Sequence, residues 1–272
     1  MSRSSFFPPV FILAAVLFAL PSCRKAYNYI HDHPDAHDTL CRVDQLDFSG
    51  FVINISYNAK GNPVNMLFAN PNIPASNIEQ HFRYDRHDRL TDYYWNFVNN
   101  IGVLIWHKYA YPRQGIVTDT QLVYTGYVND PVSPIATPEN SRIFMYKLDA
   151  EGKMIGRTEL SDDLPQPPPV FEEITYDARG NLVYPYHDIQ YDDHVNVYRT
   201  NKVWQFVYQD YSRNNPYPAG SGYASVNDFG LPLTLPPVSE IYYYPFGYYL
   251  NVYGTNGAKV TYACTVPRGH GY

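Results

Sequence analysis

The chain has 272 residues, of which 45% are hydrophobic, 17% aromatic and 17% charged. Such a composition excludes a disordered chain, and the length is enough to bury a sizeable core. Twenty Lys+Arg against 26 Asp+Glu give a formal charge of −6, which excludes the basic footprint of a nucleic-acid binder. The 23 Pro and 16 Gly are spread along the chain and suit a turn-rich β protein rather than long helices.

Residues 1–22 read as an export signal. Arg3 supplies the positive start, and Val10–Leu20, VFILAAVLFAL, is an apolar run that stops at Pro21. A membrane span needs roughly 20 apolar residues, so this run is of secretory rather than transmembrane length. Its end, Leu20-Pro21-Ser22-Cys23, resembles the lipobox of bacterial lipoproteins. The resemblance implies that Cys23 is lipidated and becomes the first residue of a mature, envelope-anchored protein, with the outer membrane as the expected site. The alternative is a plain secretory peptide with an incidental cysteine.

Residues 23–40 are polar, lack strand alternation and read as a tether. Within them His31-Asp32-His33-Pro34-Asp35-Ala36-His37-Asp38 is rich in metal-ligating types. It resembles the H-x-H-x-D-H motif of metallo-hydrolases but has the wrong final spacing, so His31, His33 and His37 are weak metal candidates. A solvated tether is the expected reading, with no metal or other cofactor.

Residues 41–272 read as one β-rich domain. The remaining cysteines, Cys41 and Cys264, lie near its two ends. In an oxidising compartment they are either a disulfide or two buried thiols, and the sequence leaves both open. Phe51–Tyr57, Ile101–Trp106 (after Asn99-Asn100), Lys202–Tyr208 and Val260–Cys264 have the β-branched and aromatic character of strands. Segments 129–140 and 161–169 are Pro-rich loops.

An internal repeat organises this domain. Tyr57-Asn58-Ala59-Lys60-Gly61-Asn62-Pro63-Val64 is echoed by Tyr84-Asp85-Arg86-His87-Asp88-Arg89-Leu90-Thr91 and by Tyr176-Asp177-Ala178-Arg179-Gly180-Asn181-Leu182-Val183. Weaker octets start at Leu148 and Val226, and a poor one at Tyr253. In a full copy, an aromatic ends a strand, Asp or Asn opens a turn by accepting backbone N–H groups, and Gly supplies positive φ. An apolar residue then starts the return strand. Hairpins of this kind must share a sheet to bury their apolar faces.

These octets resemble the tyrosine–aspartate (YD, or Rhs) repeats, whose pattern Y-D-x-x-G-[NRK]-L is met in full at Tyr176–Leu182. The Tyr84 octet departs from it, with Asp88 in the glycine position. Together with Asp210-Tyr211-Ser212-Arg213-Asn214-Asn215-Pro216, the octets are similar to YD-like lipoproteins of Bacteroidetes-type bacteria. The resemblance implies an all-β architecture of antiparallel hairpins in a curled sheet, with a propeller-like closure as the alternative. It implies no activity.

Catalytic motifs are absent: there is no G-x-S-x-G, H-E-x-x-H, P-loop or G-x-G-x-x-G. Glu172-Glu173 and Asp192-Asp193 are adjacent carboxylates, which a strand would point to opposite faces; they read as solvated turns. The aromatic excess points to a partner. Tyr93-Tyr94-Trp95 and Tyr242–Tyr249 would show aromatics on both faces of a sheet, one buried and one forming a platform for sugars or proteins. The expectation is a lipid-anchored, non-catalytic binding or structural module, meeting a glycan or an envelope protein through Trp95, Tyr243 and Tyr248. The alternative is a polysaccharide hydrolase with unidentified carboxylates.

Overall fold

The computed structural model describes residues 41–69, 77–98, 103–125, 138–160, 170–184, 189–216, 225–236 and 257–264. Cys23, His31, His33, His37, Tyr243 and Tyr248 lie outside these residues, as do the 161–169 loop and the first half of the octet starting at Tyr253.

Ten strands run as an antiparallel meander: β1 (Cys41–Phe48), β2 (Phe51–Tyr57), β3 (Pro63–Ala69), β4 (Asn77–Tyr84), β5 (Leu90–Val98), β6 (Val103–Arg113), β7 (Ile116–Thr125), β8 (Asn140–Leu148), β9 (Met154–Glu159) and β10 (Phe171–Glu173). A short hairpin follows, β11 (Thr175–Tyr176) with β12 (Leu182–Tyr184), and then β13 (Thr234–Leu235) and β14 (Ala258–Cys264). β14 returns to pair with β1, and β13 pairs with β14, so one sheet of twelve strands ends at β10 and β13 and does not close. A propeller would divide these strands among separate small sheets, so that alternative is set aside. The register places Cys41 opposite Cys264, and their sulfurs are bonded with the Cα atoms 4.0 Å apart.

Five octets adopt one turn. The residue in the second octet position (Asn58, Asp85, Asp149, Asp177 or Asn227) exchanges backbone bonds with the fifth and sixth. Its side-chain oxygen also accepts the N–H groups two and four residues on, as Asp177 does from Arg179 at 2.9 Å and Asn181 at 2.8 Å. The fifth position has positive φ in every copy: Gly61, Gly152, Gly180 and Gly230, and also Asp88 at φ 60°. The aspartate in the Tyr84 octet therefore keeps the turn and carries the left-handed strain itself. Tyrosines then clasp one unit to another. Tyr111 donates to the carbonyl of Leu90, Tyr176 to Met154, Tyr191 to Leu182 and Tyr262 to Pro232, and each acceptor is the seventh residue of an octet.

The inner face of the sheet is filled by the segment 189–216. A 3-10 turn (Val197–Thr200) leads through Asn201 into a six-residue helix, α1 (Lys202–Val207). Lys202–Val207 is thus helical, with Tyr208 as its C-cap, and not the strand that the composition of Lys202–Tyr208 suggests. Asn201 caps the helix by accepting the Val203 N–H, and the core around Trp204 rather than intrinsic propensity decides the conformation. Trp204 and Tyr198 are fully buried. Trp204 meets Phe82 edge-on at 5.4 Å, and Phe206 meets Tyr109 at 5.0 Å and Tyr146 at 6.1 Å. Asn201 donates to the Gly61 carbonyl between β2 and β3, while Phe206 touches Tyr146 on β8. From β3 to β8 a flat sheet would span about 24 Å, whereas the helix rises only about 8 Å between those two residues. The sheet is therefore curled around this plug.

Candidate functional site

Where the plug meets the repeat turns, the surface opens into a cavity of about 690 Å³. Three segments build it: the turn of the Leu148 octet (Glu151, Gly152, Lys153), the turn of the Tyr176 octet (Arg179, Gly180), and the plug (Arg199, Lys202, Gln205, Phe206, Tyr211, Arg213). Tyr111 and Leu148 complete the wall. Its volume falls within the usual range of ligand sites.

Each piece is held locally. The Lys153 N–H is fixed by Asp149 Oδ1 at 2.8 Å, and its ammonium lies 3.2 Å from the Tyr176 ring centre. Burial pushes the Lys153 ammonium down from its ordinary range, against the opposing pull of Asp149. Arg179 donates to the Asp192 carbonyl at 2.8 Å and to Asn214 at 3.2 Å, with Asp193 3.7 Å away. Tyr111, also lining the cavity, is pushed up to about 12 by burial, with Arg89 opposing the shift.

Behind the wall, the stretch Asp210–Asn215 is stitched to the Tyr176 octet. Asn181 and Asn214 bond each other twice, Nδ2 to Oδ1 at 3.1 Å and backbone N–H to Oδ1 at 2.9 Å, and Ser212 accepts the Leu182 N–H at 3.0 Å. Asp210 accepts from the Ser212 N–H at 2.8 Å and from Asn196 Nδ2 at 3.0 Å; Asp192 accepts the N–H groups of His194 and Asn215. Burial pushes both carboxyls up, in spite of these bonds. Asp192 is therefore a partly buried fastening and not the solvated turn residue that adjacency to Asp193 suggests. Glu172 pairs with Arg157 across β9 and β10, and Glu173 is exposed.

Of the aromatics singled out by the sequence, Trp95 falls elsewhere, while Tyr243 and Tyr248 lie outside the described residues. Trp95 is half-buried and packs, with Tyr93, against the main core, so its ring does not stand open as a platform. On the other face of β5, Tyr94 joins Trp106 and Tyr124 in a second, buried cluster. There Arg83 lies over Tyr94 and Trp106, and Trp106 donates to Asp92 at 2.8 Å. Both faces carry aromatics, and both are covered at this strand.

The cavity is not foreseen by the sequence. Its cations, Lys153, Arg179, Arg199, Lys202 and Arg213, come from three separated segments of an acidic chain, so no run of charge betrays them. The available signal was the repeat itself, which holds Lys153 and Arg179 beside the turn glycines of two octets.

With this geometry in view, no protein-family model matches the chain, and no curated protein is similar to it. Among the described residues there is no group of three His, Cys, Asp or Glu suited to a metal, and no helix is long and apolar enough to cross a membrane.

Proposed function

We propose that this chain is a lipid-anchored, non-catalytic binding module of the bacterial cell envelope, and that it holds a saccharide in the cavity between the plug and the repeat turns. The observation that carries the reading is the wall itself: Tyr111, Phe206 and Tyr211 supply rings, and Gln205 and the basic side chains supply hydrogen bonds, on a rigid support. Aromatic faces with polar edges suit the apolar faces and hydroxyls of sugar rings. The support is stiff because Asp149 and Asp177 each bind two backbone N–H groups of their own turns. The anchor rests on the lipobox-like end at Cys23 and the YD-like character on the octets.

The test has two arms. Full-length protein, produced in a bacterial envelope and extracted in detergent, is titrated with a panel of oligosaccharides while reducing-sugar release is followed. Binding without release is expected; release would replace this reading with a hydrolase. Absence of binding, with cross-linking of the cavity face to an envelope protein in intact cells, would make the partner a protein instead. Cys23→Ala is expected to lose fatty-acid labelling and membrane association together.

A further inference from the structure

We propose that the saccharide held in this cavity is acidic, its carboxylate, sulfate or phosphate groups taken by the basic wall. The inference rests on the cavity being the binding site and adds the chemical class of what fills it.

Five cations and one carboxylate, Glu151, line the cavity in a chain whose formal charge is −6. The cations arrive from two repeat turns and two parts of the plug, so it is the fold that collects them. Like charges gathered on one concave wall raise the local potential, and a cleft with low-dielectric walls focuses it on an incoming anion. Of the carboxylates nearby, Asp149 and Asp177 accept N–H groups of their own turns, and Asp193 stands 3.7 Å from Arg179, so the cations still outnumber the carboxylates on this wall. Three of the five cations are arginines, whose planar forks match carboxylate, sulfate and phosphate oxygens in pairs. The half-buried Lys153 lines the same space, and its burial pushes the ammonium down from its ordinary range. An inorganic anion alone would leave most of 690 Å³ unfilled and the cavity-lining parts of Tyr111, Phe206 and Tyr211 uncovered. A sugar ring bearing an anionic group uses both.

The experiment is isothermal titration of the full-length protein with trigalacturonate, a sulfated disaccharide, neutral maltotriose, inorganic phosphate and adenosine monophosphate. At least one acidic saccharide is expected to bind about tenfold or more tightly than maltotriose, and its affinity to fall as salt rises. Trigalacturonate and the sulfated sugar separate the carboxylate from the ester source. Lys202→Glu and Arg199→Glu are expected to weaken the acidic ligand about tenfold each. Their melting temperatures are compared with the parent's, and the salt dependence of the parent serves as a second test if either variant is unfolded. Equal, salt-independent binding of neutral and acidic sugars would overturn this inference and leave the binding module standing. Phosphate or the nucleotide binding as tightly as the acidic sugars would overturn the saccharide class. Silence toward every probe would overturn both readings.

Discussion

The Tyr84 hydroxyl donates to the Pro63 carbonyl at 2.7 Å, reaching 21 positions back to the residue that opens the return strand of the preceding octet. The same geometry recurs at Tyr111, Tyr176, Tyr191 and Tyr262 and gives part of the chain's 28 tyrosines a common role. In each the hydroxyl satisfies a carbonyl of a neighbouring turn, and the rings of Tyr84, Tyr111, Tyr176 and Tyr262 pack against the core. Tyr84→Phe keeps the ring and leaves that carbonyl without its donor. A loss of about 1 kcal/mol in unfolding free energy by urea denaturation is expected, against none if the clasp is idle.

Asp88 stands at φ 60°, where the other four octets place glycine. Asp88→Gly should stabilise the protein by roughly 0.5–1 kcal/mol, since a side chain in the left-handed region costs about 1–2 kcal/mol and added chain entropy offsets part of the relief. The exposed Lys60 pair that is lost contributes little. The converse, Gly180→Ala, meets only ordinary contact with Arg213 Cβ at 3.9 Å, so its expected cost of about 1–2 kcal/mol is conformational. Equal midpoints for both variants and the parent would remove the strain argument.

Trp204 has no exposed surface and packs edge-on against Phe82. Trp204→Ala should cost about 3–5 kcal/mol and loosen the plug from the sheet. Hydrogen exchange would register it as lost protection at Val203 and Tyr208, beyond the mutated position itself.

Burial pushes the Asp85 carboxyl up, but the N–H groups of Arg89 and His87 and the Arg89 guanidinium outweigh it and bring it to about 2. Because the folded value lies below the ordinary one, this stability is present above about pH 4 and is lost as pH falls toward 2. Carboxyl carbon shifts should show the late titration. Asp85→Asn should keep the turn, as Asn58 and Asn227 do in their octets, and flatten the pH dependence in that window.

The turns were legible because one residue determines them: an Asx side chain that binds two N–H groups specifies the reversal without help from the rest of the fold. The strands beside them were legible for the same local reason. The plug was not. Val203, Trp204, Phe206, Val207 and Tyr208 are the residue types of a strand, and only the walls around Trp204 and the cap at Asn201 make Lys202–Val207 a helix. The cavity was hidden for a related reason, since Lys153 and Arg213 meet only after the sheet has curled. For Cys41 and Cys264 the sequence left two outcomes, and the pairing of β1 with β14 puts their sulfurs in bonding contact.

That last pairing sets the order in which the molecule can be completed. In stacked-repeat proteins each unit rests on its neighbour, folding can begin anywhere, and a shortened array is a smaller version of the whole. Here the strand that covers β1 carries a cysteine 223 positions downstream of its partner, and the segment that fills the curl comes after the ten-strand meander. A nascent or clipped chain ending after β10 is therefore not a lesser domain. It is a bare apolar trough with an open first edge, the kind of surface that recruits other chains. The plug and the final strand thus complete what the ten-strand meander begins.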